Sequence, residues 1–172
     1  MTPEFSRPIR IDTIGEGSRD IAIEADADER RRLAGRFGLA GIDRLEARFA
    51  VVREGATIVA TGTVSAQVTQ ACSVTGEPLA TTVDEAATLR FVDGIDVEED
   101  MELSEDALDT LPIENGAVDL GEAAAETMAL ALDPFPRAPN AEQVLRAAGV
   151  VSEDEVQPFN ALAAALKGKL GS

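Results

Sequence analysis

The chain has 172 residues, with 15 lysines and arginines against 32 acids, no histidine and one cysteine, giving a formal charge of −17. Without histidine, no Ser-His-Asp or Cys-His catalytic group and no imidazole-ligated metal site can be assembled. Cys72 by itself makes neither an internal disulfide nor a thiolate cluster, which suits a reducing compartment, while a hydrophobic fraction of 45% is enough for a real core.

In chain order, residues 5–14 carry Ile9 and Ile11 among polar neighbours and read as a strand, and Ile21-Ala-Ile23 reads as a second, shorter one. Asp26 followed three residues later by Glu29 is a carboxylate form of the capping box. Leu33 and Phe37 then lie four apart, and Gly38 stands where a helix ends, so a helix is expected over 27–37 with Arg30-Arg31-Arg32 and Arg36 on its solvated face. From Arg44 the period falls to two. Leu45, Ala47, Phe49 and Val51 share one face; Ile58, Val64 and Val68 continue it after a turn at Glu54-Gly55; Val83, Ala87, Leu89 and Phe91 follow after Gly76-Glu77-Pro78. Three long strands on short turns predict an antiparallel meander with one wet face.

Residues 93–109 form an acidic stretch in which Ser104 to Ala107 has the pattern of a single helical turn. Glu114-Asn115-Gly116 predicts a tight turn between two short apolar runs. Asp119 with Glu122 caps an alanine-rich helix expected over 120–132, with Leu120, Ala124, Thr127 or Met128, and Ala131 inward, and Asp133-Pro134 ends it. Beyond it, Asn140 is placed to cap a short helix through Ala148, and Phe159, Leu162, Leu166 and Leu170 fall at helical spacing. The expected organisation is an α+β domain over 1–136, an antiparallel sheet with packed helices, and a C-terminal helical extension over 137–172. No apolar run reaches the ~18 residues of a membrane span, and residues 1–10 carry no apolar signal core, so a cytoplasmic protein is expected.

Several of these strings resemble one family. Val68-Thr-Gln-Ala-Cys72-Ser-Val-Thr-Gly-Glu77-Pro78-Leu79 resembles the centre of the YceD family, the large ribosomal RNA subunit accumulation proteins, where a strand ends in Cys, two residues and a second Cys before a Glu-Pro pair. Asn115-Gly-Ala-Val118-Asp119-Leu120 resembles its second signature, Leu132-Asp-Pro134-Phe-Pro136 the proline stop of its apolar helix, and Pro158-Phe159-Asn-Ala-Leu162-Ala with Leu166-Lys167 its C-terminal element. The resemblance runs from about residue 49 to residue 170. It departs at Thr75, which stands where many members carry the second Cys, so no chemistry through a pair of thiols operates here. The resemblance implies a part in the accumulation or processing of large-subunit ribosomal RNA, hence in ribosome assembly. It brings no catalytic residues, cofactor or metal. Cys72, Glu77, Pro78, Asp119 and Leu120 are carried over as motif positions, each with a structural account: a small apolar residue at a strand end, turn geometry for Glu77-Pro78, capping for Asp119 and packing for Leu120.

Charge then narrows the mechanism. Residues 1–53 balance ten arginines against ten acids, whereas residues 54–136 hold eighteen acids against Arg90 alone. Such a surface repels phosphate backbones and attracts basic partners, although solubility alone also accounts for it. With no Trp or Tyr, and Phe37, Phe49 and Phe91 on faces expected to be buried, stacking on single-stranded RNA has little to work with. The expected partner is therefore a basic ribosomal protein or a ribosome assembly factor, or a pre-ribosomal particle with its RNA, and not a membrane. The candidate contacts are Asp96, Glu98, Glu99, Asp100, Glu102, Glu105 and Asp106, with Phe159, Leu162 and Leu166 as an apolar anchor. The alternatives are direct ribosomal RNA binding by the arginine-rich helix, and a metal-dependent nuclease, which would need converging carboxylates on rigid elements.

Overall fold

In a computed structural model, residues 3–94 and 110–150 are described. Their elements are β1 (Pro8–Arg10), β2 (Arg19–Glu24), α1 (Ala27–Phe37), β3 (Gly41–Glu54), β4 (Thr57–Ala71), β5 (Pro78–Val92), β6 (Thr110–Pro112), β7 (Ala117–Asp119), α2 (Leu120–Ala131) and α3 (Ala141–Ala147). Strands β2-β3-β4-β5-β6 form one sheet, antiparallel except that β6 runs parallel to β5, and β1 pairs with β7 in a separate two-stranded ribbon. The α+β class and the meander β3-β4-β5 stand as the sequence pattern predicts.

Alternation places the core. Leu45, Phe49 and Val51 of β3, Ile58, Val64 and Val68 of β4, and Val83, Leu89 and Phe91 of β5 are buried on one face, beneath Leu33 of α1 and Leu120, Ala124 and Met128 of α2. The opposite face carries Thr61, Gln67, Thr82, Asp84 and Thr88 in water or half-buried. Ala27–Phe37 is helical over the expected residues. Asp26 accepts from the Asp28 and Glu29 amides, Glu29 returns the bond to the Asp26 amide at 2.8 Å, and Gly38 takes the left-handed conformation at φ 65°. In the middle of β4, opposite Phe49 of β3, Gly62 allows a close approach: a Cβ there would lie 1.8 Å from the Arg48 carbonyl oxygen.

Three expectations are corrected. The strand expected over 5–14 is three residues long, because Ile11–Thr13 winds into a 3-10 turn and Phe5 drops into the core instead. The Asn115-Gly116 turn forms, with φ of 53° and 70°, but closes a single bridge between Glu114 and Ala117. The strands on either side of it go to different sheets, β6 to β5 and β7 to β1. Helix α2 ends at Ala131, and Ala131 is exposed, because the last turn overhangs the edge of β5 with Leu130 87% exposed.

Candidate partner-binding site

The family-motif positions fall into two clasps. The first is the β4–β5 turn. Cys72 closes it by donating its amide to the Glu77 carbonyl (2.8 Å), while the Gly76 amide donates to the Cys72 carbonyl (2.9 Å). Gly76 has φ 74°, which a side chain would strain. Thr75 Oγ1 donates to Glu77 Oε2 (3.0 Å) and accepts from the Glu77 amide, and Pro78 begins β5. Cys72 is 3% exposed and packs with Ala138 and Ala141, so the segment after α2 sits against this turn, and the Ser73 amide donates to the Pro136 carbonyl.

The Cys72 sulfur accepts from the amides of Ala138 (3.2 Å) and Thr75 (3.4 Å). Contact with Thr75 first, and then the backbone amides, lower its pKa to about 7 against the opposing effect of burial. Among the described residues, no three acids or thiols converge where they would hold a metal ion.

The second clasp centres on Asp119. It caps α2 by accepting from the Gly121 and Glu122 amides at 3.0 and 3.2 Å, and also accepts from the Arg7 amide at 2.7 Å and from the Ser6 hydroxyl. Leu120 is fully buried beside it, and the Leu120 amide donates back to the Arg7 carbonyl. Glycine is required at 121, since a Cβ would lie 2.6 Å from the Phe5 carbonyl oxygen. From this anchor the Arg7 guanidinium reaches Glu29 through two bonds of 2.7 and 2.9 Å and stacks 4.7 Å over the Phe5 ring. Arg7 holds the Glu29 carboxyl below its usual range. Arg36 bridges Glu122 (2.7 Å) and Glu4 (3.0 Å), which raises the guanidinium's pKa. The N-terminal segment thus ties α1 to α2.

The candidate contacts Asp96, Glu98, Glu99, Asp100, Glu102, Glu105, Asp106, Phe159, Leu162 and Leu166 lie outside the described residues, as does the expected helical turn at 104–107. Acids that the fold does position gather around α2 and the end of the sheet. Glu85, Ala87 and Leu89 of β5 face Ala123, Glu126 and Leu130 of α2 across a groove of about 350 Å³. Through Leu111, Ala123 and Glu126 it meets a second cavity of about 510 Å³ that includes Glu114, Asp119 and Glu122. Desolvation, and then the neighbouring Glu122, push the Glu126 carboxyl above its ordinary value.

Sequence reasoning passes over Glu85, Glu126 and Leu130. Glu85 carries a signal, since it breaks the alternation of β5 by placing a charge on the core-facing side of the strand at its middle, where the strand is exposed. The arginines of α1 are already engaged: Arg30 with the Ala25 carbonyl, Arg31 with Asp28, Arg32 with the Asp28 carbonyl and Arg36 with two acids.

A family model described as "Large ribosomal RNA subunit accumulation protein YceD" matches residues 60–167 of the chain. No curated protein and no solved structure matches it. The match spans β4 from Ala60 onward, β5, the motif positions of both clasps and the groove.

Proposed function

The chain belongs to the YceD family, and from that membership we propose that it is a non-catalytic factor supporting large ribosomal subunit assembly and ribosomal RNA accumulation. It acts in the cytoplasm by holding a basic ribosomal protein, or a basic assembly factor, on an acidic surface. The observation carrying this reading is the charge partition: eighteen acids against Arg90 within residues 54–136, where the family match also falls. Attraction to a cationic partner sets the on-rate over about a Debye length, ~8 Å at physiological salt. Asp96, Glu98, Glu99, Asp100, Glu102, Glu105 and Asp106 supply that attraction, and Phe159, Leu162 and Leu166 add a short-range apolar contact. Residues 1–136 act as the body and 137–172 as its extension.

Two observations support a protein partner over naked RNA. Arg36 of α1 is held between Glu122 and Glu4, and Phe49 and Phe91 are buried where no base can stack on them. No helix among the described residues is long and apolar enough to cross a membrane.

The test is capture of proteins stripped by high salt from large ribosomal subunits. The wild-type chain is compared with a variant carrying Asn or Gln at the seven acids named. Capture by the variant falls at low salt, and the difference closes as salt rises. Equal capture at every salt concentration rules the reading out.

A further inference from the structure

Among the described residues, the outer edge of β5 is open over residues 79–89. Its other edge pairs with β4 without interruption from Pro78↔Ala71 to Phe91↔Ile58, whereas β6 covers only Arg90–Val92 on the outer side. No strand among the described residues pairs with residues 79–89 there. The Ile113 amide donates to the Val92 carbonyl at 2.8 Å, so Val92 turns its backbone groups outward, and by alternation so do Thr82, Asp84, Ala86 and Thr88. A long unpaired row of this kind templates the addition of another strand unless charge prevents it.

Charge decides which strand. An added strand would lay alternate side chains over the groove beside β5, where Ala87, Leu89 and Leu130 offer apolar contact and Glu85 and Glu126 offer negative charge. No ion pair neutralises Glu85 or Glu126 among the described residues. Leu130 stands almost fully exposed at the rim. A second copy of this chain is a poor occupant. Antiparallel self-pairing centred on the open stretch would set Asp84 against its own copy, in a chain already at −17. An extended segment bearing lysine or arginine meets both the apolar floor and the acids.

We infer that the open edge of β5, with the groove between β5 and α2, is a docking site for an extended cationic segment of a partner protein, which adds to the sheet as a sixth strand. The inference rests on the proposed basic protein partner and locates where it binds. Backbone pairing supplies the affinity, and Glu85 and Glu126 select for positive charge.

The probe is a ten-residue peptide of alternating valine and lysine, added to the full chain. Its control is the same peptide N-methylated at every residue, which keeps the charge but has no amide left to donate from either edge. The unmodified peptide slows hydrogen exchange at the amides of Thr82, Asp84, Ala86 and Thr88. The N-methylated peptide binds about tenfold more weakly or worse, the effect of losing one or two strand hydrogen bonds. Ala86→Pro removes one outward amide without touching the β4 ladder and weakens the unmodified peptide similarly. The peptide comparison leaves the protein unaltered, so it discriminates even where that variant folds poorly.

Equal binding of both peptides, or no protection along β5, overturns the inference. So does protection of the same amides in the free chain, which would mean that a second copy or residues 151–172 already occupy the edge. In the ribosomal-protein capture, loss on neutralising the acidic run but not with Ala86→Pro removes this docking site and leaves the proposed function standing. Loss with neither variant removes both.

Discussion

Replacing Asp119 with alanine takes one acceptor away from four donors: the amides of Gly121, Glu122 and Arg7, and the Ser6 hydroxyl. Loss of the helix cap alone costs ~1 kcal/mol. The Arg7 amide and the Ser6 hydroxyl are part-buried in the seam between the N-terminal segment and α2, and each left unmatched adds ~1 kcal/mol. The total of about 3 kcal/mol is a large fraction of the 5–15 kcal/mol that holds an ordinary domain together. Urea unfolding of Asp119→Ala should show a lower midpoint with an unchanged slope. Asp119→Asn keeps an acceptor for the amides and should cost about half as much. Ser6→Ala should be mild alone and should reduce the cost of Asp119→Ala, because the two residues share a bond. A cost for Asp119→Ala near that of a plain cap, strictly additive with Ser6→Ala, would refute the idea that Asp119 locks the N-terminal segment to the helix.

Gly62→Ala forces a methyl against the Arg48 carbonyl, so stability read by thermal unfolding should fall by well over ~2 kcal/mol even though alanine is small. Glu29 has its folded pKa held below the ordinary 4.5 by Arg7. Its contribution is therefore complete above about pH 4.5 and lost as pH falls through the lower folded value, so Glu29→Gln should flatten the acid limb of the stability curve. Cys72 has its folded pKa lowered to about 7 from 9.0. Its thiolate adds stability that grows between about pH 7 and 9, and the difference from Cys72→Ala, read by denaturant titration, should widen across that window. Burial should keep native Cys72 slower toward iodoacetamide than the urea-unfolded chain.

What is legible in the sequence is what the chain decides locally. The capping box at Asp26 and Glu29 and the glycine at 38 delimit α1, and the two-residue period carries Leu45 to Val51 and Leu89 to Phe91 to the correct face. The Asn115-Gly116 turn is equally legible, yet its neighbours part because strand pairing is settled by distant edges: β6 meets β5 and β7 meets β1. No local pattern announces that Arg7 will reach Glu29 or that Asp119 will accept from Ser6, since those partners come together only when the helices pack. The candidate contacts rest on charge and helical spacing alone, and they lie outside the described residues. The acids that the fold sets beside the outer edge of β5, Glu85 and Glu126, can be recognised only once that strand is seen to have no outer neighbour among the described residues over 79–89.

The ribbon of β1 and β7 joins residues 8–10 to residues 117–119. During synthesis the meander has every strand it needs once residue 92 has left the exit tunnel, and it can form on the ribosome at that stage. The first strand waits. Until residue 119 emerges, Phe5 lacks α2 beside it and the Arg7 and Ser6 donors have no acceptor at Asp119. A nascent chain stalled before that point exposes its own beginning, and protease sensitivity near residue 7 should vanish abruptly as the start of α2 emerges from the tunnel.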